Sequence, residues 1–550
     1  MQLIECVPNF SEGRDLNIIK QITNEIESVE GVRLLNVDPG SATNRTVVTF
    51  VGTPKAVGEA AFRAIKKAGE LIDMAKHKGE HPRMGATDVC PLIPVANITM
   101  EETAAWAQKL AKRVGEELLL PVYLYEDAQP NKDRSNLSVI RAGEYEGFFK
   151  KIKLAEWGPD HGPAEFDPGR GATVIGARDF LVAYNVNLNT TSTRRANAIA
   201  FDIREAGRKI KNEKGEEVVI PGSLKNVKAI GWYIEEYGIA QISINLTNIN
   251  ITPVHIAFDE VCKKAESRGI RVTGSELVGL IPLKAMLDAG KYFLKKQNRS
   301  TGVSEKELIR IAVKSMGLDE LSPFNPGEKI IEYMLRDKND DKLIRMSLAD
   351  FADETASESP APGGGSIAAY VGSLGAALAT MVANLSSHKK GWDDRWEEFS
   401  NWAEKGQQYK NELLRSVDAD TRAFNRIMDA FGLSKATEGE KAIRKKAIQE
   451  ATKTAIEVPF SVMQNAWASM EVIKAMAEIG NPNSVSDAGV GALCARTAVM
   501  GAFLNVRINA SGYDDKNFVD NIMAKGKEIE RDAIKMESEI LKIVNEKIGI

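Results

Sequence analysis

At 550 residues the chain is too long for one hydrophobic core, so we expect several domains. Its hydrophobic content of 43% and charged content of 27% are ordinary for a globular protein, and the formal net charge of -4 comes from well-mixed signs. This balance argues against nucleic acid or a polybasic membrane surface as the main partner and favours small metabolites.

The cysteines and the N-terminus bear on the compartment. Cys6, Cys90, Cys262 and Cys494 lie far apart without CxxC spacing, so we expect reduced thiols. The segment MQLIECVPNF lacks the pattern of a signal peptide, and no continuous apolar stretch reaches about 18 residues. The sequence therefore predicts a soluble, cytoplasmic protein.

The first third of the chain alternates short β-like runs with amphipathic helical patterns. QLIECVP and RTVVTFVG are typical of strands, and AVGEAAFRAIKKAGELIDM has apolar residues at helical spacing. The resulting βαββαβ order is typical of a ferredoxin-like unit. The same order returns after GARDFLVAYNVNL, so we expect two tandem units with a ligand cleft between them. Within the second unit, the charged segment KNEKGEEVVIPG predicts an exposed excursion.

Composition changes near residue 335, where the charged run RDKNDDK precedes Ala-rich helical patterns. The predicted fold class is α/β plus all-α: two tandem ferredoxin-like βαββαβ subdomains followed by an all-helical bundle domain. The predicted boundaries are residues 1–180 and 181–335 for the two subdomains, 336–342 for a linker and 343–550 for the helical domain.

GEHPRMGATDV, residues 79–89, contains the first candidate for chemistry. We expect Gly79 to end the preceding helix, Pro82 to fix a turn and Gly85 to allow an unusual backbone angle. His81 and Arg83 would then stand on a stiff, exposed loop. A histidine titrates at about pH 6.5, which suits proton transfer. The segment alone does not distinguish this role from that of a histidine that only packs or is solvated.

Two further segments place polar or flexible residues in turns. NVDPGSATNRTVVTF puts Asp38, Asn44 and Arg45 in one turn, where ordinary turn chemistry is the alternative to a binding role. GPDHGPAEFDPGRG, residues 158–171, is too rich in Gly and Pro for regular structure. It either wraps a planar ligand or only connects the two α/β units.

The helical half has its own candidates. APGGGS, residues 361–366, opens a long helical pattern, so its free amides could hold an anion, with close helix packing as the alternative. In VDADTRAF, Asp418 and Asp420 point to different helix faces. Because the apolar Ala423 and Phe424 follow Asp420 at i+3 and i+4, we predict that Asp420 faces inward. Such a carboxylate is either functional or a buried bridge between helices.

The segments ECVPNFSEG, TNRTV and HKGEHPRMGATDVCP together resemble the formimidoyltransferase-cyclodeaminase family, and the resemblance extends from residue 2 to near the C-terminus. It implies transfer of a formimino group from N-formimino-L-glutamate to tetrahydrofolate, which releases L-glutamate. Cyclodeamination of 5-formiminotetrahydrofolate to 5,10-methenyltetrahydrofolate and ammonia would follow. The family's catalytic histidine falls on His81, and the catalytic aspartate of the helical domain falls on Asp420.

The resemblance also implies binding residues. The folate-contacting loop would consist of Gly162, Pro163, Ala164, Glu165, Phe166, Asp167, Pro168, Gly169, Arg170 and Gly171. Further substrate or folate candidates, inferred from residue chemistry, are Asp38, Asn44, Arg45, Arg83 and Glu276 in the α/β units and Gly363, Gly364, Gly365, Ser366 and Asp487 in the helical half. Asp487 is either a pocket group or a helix N-cap. Arg83 or Arg45, near the histidine loop, would pair with substrate carboxylates.

The implied cofactor is tetrahydrofolate, free or polyglutamylated, acting as a co-substrate. No His/Cys/Asp cluster has metal-ligand spacing, so we expect no metal requirement. The resemblance further implies a homo-oligomer, an octamer in known cases. Two alternatives remain at this point: the helical half is a methenyltetrahydrofolate cyclohydrolase, or the chain is a catalytically silent folate-binding scaffold.

Overall fold

The computed structural model describes residues 2–41, 43–79, 82–212, 215–335 and 342–549. The chain divides into two compact units. The α/β unit comprises Met1–Ala285 and Met316–Leu335, and the helical unit comprises Met286–Ser315 and Arg336–Ile550.

The first sheet of the α/β unit has seven strands. They are β1 (Leu3–Cys6), β2 (Asn9–Phe10), β3 (Val32–Gly40), β4 (Arg45–Gly52), β5 (Thr87–Ala96), β6 (Val122–Glu126) and β7 (Thr173–Ala177). In space the order is β3, β4, then β1 with β2, then β5, β7 and β6. All pairs are antiparallel except β5 with β7 and β6 with β7. Strand β7 was not predicted from the sequence, and it inserts between two strands that were.

Three helices pack against one face of this sheet: α1 (Leu16–Glu27), α2 (Pro54–Leu71) and α3 (Met100–Glu117). Their beginnings are set by caps. The Asp15 carboxylate accepts hydrogen bonds from backbone N–H groups in the first turn of α1. Thr53 caps α2 just before Pro54, and Thr99 forms a capping box at the start of α3. Two short helices, α4 (Leu137–Ile140) and α5 (Glu144–Lys151), follow β6.

The second sheet has four antiparallel strands. They are β8 (Val182–Leu188), β11 (Val227–Ile234), β12 (Ile239–Leu246) and β13 (Val272–Val278), in the spatial order β11, β12, β8, β13. Helix α6 (Thr193–Ile203) follows β8, and α7 (Val254–Glu266) follows β12. Between α6 and β11, strands β9 (Arg208–Lys211) and β10 (Glu217–Ile220) form a separate hairpin. Strand β10 is exposed along its whole length, which confirms the predicted excursion.

After the second sheet, the chain enters the helical unit at Met286 and returns to the α/β unit at Met316. The helices of this segment are α8 (Leu283–Lys296), α9 (Glu305–Met316), α10 (Pro326–Lys329) and α11 (Ile331–Leu335). The predicted boundary at residue 335 assigned all of them to the α/β half, but residues 286–315 belong to the helical unit. The reason is packing: Thr301 donates its backbone N–H to Ser400 (3.0 Å), and Gly302 lies against the backbone of Ala403.

The helical unit continues with α12 (Leu348–Ala356), α13 (Gly364–Ser387), α14 (Trp396–Gly432), α15 (Glu438–Ile479), α16 (Val485–Ala510) and α17 (Lys516–Ile548). Small residues let α13 and α16 approach closely, since a Cβ at Gly375 would lie 2.8 Å from the carbonyl oxygen of Gly491. In the described part of the chain, Gly364–Ser387 and Pro482–Ala510 are long and apolar enough to cross a membrane. At least half of the most apolar 18-residue stretch of each helix is buried inside the protein, as in a core helix. Neither helix is a continuous apolar run in the sequence, because Ser and Thr interrupt the first and Asp487 and Arg496 interrupt the second.

Candidate functional sites

A cleft of about 440 Å³ lies within the α/β unit, and both sheets line it. On the first sheet, Asp38, Val47, Asn9 and Val89 form one cross-strand row on the lining face. On the second sheet, a matching row across all four strands consists of Lys228, Asn245, Ala183 and Val278. Because side chains alternate between the two faces of a strand, the residues next to these rows point to the opposite, helix-covered face of each sheet and pack in the core.

Two arginines that line this cleft share the buried carboxylate of Asp88, which is not itself a lining residue. Asp88 is fully buried and accepts from Arg45 Nη1 at 2.5 Å and from Arg141 Nη2 at 2.7 Å. Its other oxygen accepts the backbone N–H of Met84 at 2.9 Å. Burial lowers the pKa of Arg45, and Asp88 partly offsets this effect. The cluster carries one net positive charge, and Arg141 Nε has no hydrogen-bond partner among the described residues. It is therefore suited to receive a carboxylate.

The predicted turn residues have different roles. Asp38 and Arg45 line the cleft. The Asn44 side chain instead supports the loop, since it accepts from the Gly13 N–H at 3.0 Å and donates to the Lys78 carbonyl at 3.1 Å.

Glu276 lies two residues before Val278 on β13, on the same side of the strand as the cleft row. It accepts from the Asn185 amide at 3.3 Å and from the Tyr237 hydroxyl at 3.5 Å. Its carboxylate thus extends the polar surface of the second sheet beyond the cavity.

Arg83, which the sequence offered together with Arg45 as a partner for substrate carboxylates, is engaged within the first half of the α/β unit. Its guanidinium is buried, donates to Glu146 at 2.6 and 3.0 Å and reaches Glu144 at 3.4 Å. Arg83 Nε donates to His77 Nδ1 at 3.1 Å, and His77 Nε2 lies 2.9 Å from the Asn44 carbonyl. These two partners assign the ring proton to Nε2, because a carbonyl only accepts.

The predicted catalytic His81 lies outside the described residues, together with Glu80. The flanking glycines do not act as expected. Helix α2 ends at Leu71, well before Gly79, and the φ angle of Gly85 is not positive. Both glycines instead permit close approach: a Cβ at Gly79 would lie 2.2 Å from the Thr43 carbonyl oxygen, and one at Gly85 would lie 2.3 Å from that of Ala172.

The loop at residues 162–171 packs against the first sheet and lies outside the cleft lining. Asp167 accepts from the backbone of Gly169 and Arg170, and Arg170 Nη1 donates to the Leu118 carbonyl at 2.8 Å. Arg170 lines a second cavity of about 230 Å³, formed mainly by α2, the end of α3 and the start of β5. The loop is not the connector between the sheets, because β7 follows it directly.

In the helical unit, the carboxylate of Asp420 meets the N-terminus of α13. The Ser366 backbone N–H donates a hydrogen bond to it, and Ser366 Oγ, whose nearest acceptor is the Val417 carbonyl at 2.8 Å, lies 3.3 Å from it. A Cβ at Gly365 would lie 2.2 Å from Asp420 Oδ1, so only glycine fits there. Burial raises the pKa of Asp420, and the Ser366 hydrogen bonds oppose this shift. A carboxylate with a raised pKa is suited to accept a proton.

Asp418 has a structural role that separates it from Asp420. It is buried and accepts the backbone N–H groups of Leu343 at 2.9 Å and Ile344 at 3.3 Å. The prediction that the two aspartates face differently is therefore confirmed. The apolar stripe used to orient Asp420 is only half correct, since Ala423 is buried but Phe424 is 38% exposed.

Asp487 is not part of the Asp420 site. It lies in the first turn of α16, and α16 runs antiparallel to α13, with Asn505 beside Gly364 and Gly491 beside Gly375. Asp487 is therefore roughly 20 Å along the bundle from Asp420, from the helical rise per residue. Gly363 is the N-cap of α13, and Gly364 and Gly365 form its first turn.

The sequence reasoning missed several site residues: Glu5, Asp88, Arg141, Arg178, Lys228 and Asn505. Glu5 had a local signal, because a glutamate between buried apolar residues in a strand is unusual. Asp88 and Arg141 had none, since their partners are far away in sequence. Among the described residues, no group of three or more His, Cys, Asp or Glu side chains is placed to hold a metal ion.

Comparison with known proteins covers both units. Three family models match: the formiminotransferase domain, N-terminal subdomain, at residues 3–178; the formiminotransferase domain at residues 183–336; and formiminotransferase-cyclodeaminase at residues 347–528. A formimidoyltransferase-cyclodeaminase from Gallus gallus is 47% identical over 94% of each chain.

Shorter relatives match one part of the chain each. A glutamate formimidoyltransferase from Thermoplasma acidophilum is 42% identical over 57% of this chain and 99% of its own. A methenyltetrahydrofolate cyclohydrolase from Methylorubrum extorquens is 36% identical over 37% of this chain and 98% of its own.

Proposed function

Since this chain belongs to the formimidoyltransferase-cyclodeaminase family and has both activities, we propose that its two units carry out consecutive reactions on one folate. The α/β unit transfers the formimino group from N-formimino-L-glutamate to N5 of tetrahydrofolate and releases L-glutamate. The helical unit then closes the ring of 5-formiminotetrahydrofolate to 5,10-methenyltetrahydrofolate and releases ammonia.

The observation that carries the transferase assignment is the Arg45–Asp88–Arg141 cluster in the cleft. N-formimino-L-glutamate has two carboxylates, and this cluster offers a net positive charge on two arginines that line the cleft. When N5 adds to the amidine carbon it must lose a proton, and the glutamate nitrogen must gain one to leave. We assign both transfers to His81 and folate binding to residues 162–171 on the family resemblance, and we assign further substrate contacts to Asp38 and Glu276 from their place in and beside the cleft.

For the helical unit we assign proton transfer to Asp420. Its support is the contact with Gly365 and Ser366 and the pKa raised by burial. N10 attacks the formimino carbon, and a carboxylate beside the departing amine suits that step. Gly363 and Gly364 would present amides to the folate at the same helix end.

A second candidate function for the helical unit is methenyltetrahydrofolate cyclohydrolase, because a protein of that name is 36% identical over this region. Ring opening by water without ammonia release from formimino substrate would identify it.

Finer features are also proposals. The strand orders of both sheets support ferredoxin-like subdomains, since in each βαββαβ run the first strand lies between the third and fourth. A homo-oligomer is supported by exposed apolar residues along α13 and α16: Leu374, Met381, Leu385, Val490, Leu493, Leu504 and Ile508. A cytoplasmic location is proposed from the sequence alone. The folate would be polyglutamylated, and no metal would be needed.

The test follows methenyl-folate absorbance, ammonia and glutamate with the full-length protein, tetrahydrofolate and N-formimino-L-glutamate. We expect His81→Ala to abolish glutamate release, and Asp420→Asn to preserve it while reducing ammonia release at least about 100-fold. If His81→Ala transfers at the wild-type rate, or if Asp420→Asn releases ammonia normally, the corresponding assignment is wrong.

A further inference from the structure

Glu5 lies deep on the face of the first sheet that lines the cleft. It is the third residue of β1, opposite Val51 on β4 and Ile93 on β5. Its neighbours Ile4 and Cys6 point into the helix-covered core, so strand alternation turns the Glu5 side chain to the other face. Only 3% of the Glu5 surface is exposed, yet the residue lines the cavity.

The carboxylate of Glu5 lacks the partners that other buried carboxylates have. In the part of the chain that the structure describes, neither oxygen has a hydrogen-bond donor within reach or a cation within 4 Å. The buried Asp88, by comparison, has two arginines and a backbone N–H. The Glu5 oxygens are not among the fully enclosed unpartnered atoms of the described residues, so they reach the cavity, where a ligand can supply the hydrogen-bond donors that the fold does not.

The groups around Glu5 leave its charge uncompensated. The positive charge of Arg178, which follows β7, favours the ionised form of Glu5, and the negative charge of Glu332 on α11 disfavours it. The strands on either side contribute uncharged residues, Thr49 and Val51 from β4 and Pro91 and Ile93 from β5. Burial is the largest effect and raises the pKa of Glu5 to about 7.

The remaining charged groups of the cleft are Asp38, Glu126, Lys228 and the two arginines of the Asp88 cluster. That cluster contacts Asn9, four residues beyond Glu5, or roughly 13 Å along the strand. The cleft thus offers a cationic group at one place and a lone carboxyl at another.

We propose that the Glu5 carboxylate binds a planar pair of N–H donors, an amidine-like edge, on a substrate held in the cleft. This proposal rests on the proposed transferase function. Both substrates carry such an edge: the pterin ring has an amino group beside a ring N–H, and the formimino group is itself an amidine. A carboxylate accepts two parallel N–H bonds from either one.

The test is the binding of each substrate alone to full-length Glu5→Gln, measured by calorimetry, tetrahydrofolate being handled without oxygen. We expect the Kd of one substrate to rise about 10- to 100-fold, the range for a lost hydrogen bond to a charged group, and that of the other to change little. Loss of tetrahydrofolate affinity would identify the pterin edge, and loss of N-formimino-L-glutamate affinity the amidine. Glu101→Gln, an exposed change on α3, is the control.

The pH dependence provides a second readout. Binding needs the ionised carboxyl, and the pKa of about 7 means that affinity of the wild type should fall about tenfold from pH 8 to pH 6. In Glu5→Gln this fall should disappear, and in Glu5→Asp it should remain.

The variant should also fold. The folded-state pKa of Glu5 lies above its ordinary value of 4.5, so ionisation destabilises the wild type progressively as pH rises through this range to about 7. Glu5→Gln removes that charge and should melt no lower than the wild type at pH 8.

Unchanged affinity for both substrates in Glu5→Gln would overturn the proposal, and so would an equal loss for both, which a general change in the cleft would cause. If instead the wild type itself bound neither substrate and released no glutamate, the transferase assignment would be the one refuted.

Discussion

Gly365 shows how one side chain's absence creates a site. Its missing Cβ leaves the space that the Asp420 carboxylate occupies, 2.2 Å from where that carbon would stand. Asp420 can therefore reach the first turn of α13 and accept from Ser366, although burial disfavours its charge and raises its pKa. Two residues that are 55 positions apart in sequence thus define one pocket wall.

Gly365→Ala should reduce cyclodeamination selectively. The added methyl must displace the Asp420 carboxylate, and misplacing a catalytic group costs about 10- to 100-fold in rate. Ammonia release from 5-formiminotetrahydrofolate measures this, with glutamate release as the internal reference. The matched control is Gly439→Ala on α15, where an added Cβ meets nothing within 4 Å. Equal ammonia release by both variants would contradict the geometry.

Arg83 and Arg45 illustrate the limit of reasoning about single residues. Both are arginines near the histidine loop, and the sequence offered no reason to prefer one. The structure engages Arg83 with Glu144, Glu146 and His77, whereas Arg45 lines the cleft beside Arg141. Which carboxylates surround an arginine depends on α4 and α5, whose positions no local pattern predicts.

At the scale of elements, the segment between the second sheet and the linker is the main departure from expectation. Helix α8 begins in the α/β unit, but most of it, and nearly all of α9, pack in the helical unit. Asn384 and Gln407 both donate to the Gly302 carbonyl, at 2.9 and 3.3 Å, and hold the turn between α8 and α9. Amphipathic periodicity predicts such helices but not the core that receives them.

Gly302→Val should therefore destabilise the helical unit rather than the α/β unit. A Cβ at this buried position would lie 2.3 Å from that of Ala403, and overpacking of this kind costs about 1–3 kcal/mol of unfolding free energy. Hydrogen exchange should show faster exchange in residues 286–315 and 396–412, with little change in β1 to β7. Gly432→Ala, in open space at the end of α14, is the control. Faster exchange confined to the α/β unit would refute this packing.

At the scale of the whole molecule, the exposed apolar residues of α13 and α16 are the basis of the proposed homo-oligomer. Ile508 is 71% exposed and Leu504 59%, four residues apart on one helix face. Water would otherwise cover a long apolar stripe on a helix whose other face is the core of the unit.

The double variant Leu504→Glu/Ile508→Glu should shift the protein to a smaller assembly, because charge on a buried apolar contact costs several kcal/mol. Mass photometry at fixed concentration measures the distribution. Leu348→Glu, at a 75% exposed position on α12, serves as the control. An unchanged distribution in the double variant would exclude this face of α16 from the assembly contacts.

The sequence by itself determined the order and type of most elements and the family, because strand alternation, helical spacing and motif strings are local properties. It also separated Asp418 from Asp420 by helix geometry alone. Only the tertiary structure decided which polar groups meet. Asp88 and Arg141 lie 53 positions apart, and the carboxyl of Glu5 lacks a partner because the strands on either side, β4 and β5, place uncharged residues beside it. Such placements arise from packing between distant segments, and spacing along the chain does not encode them.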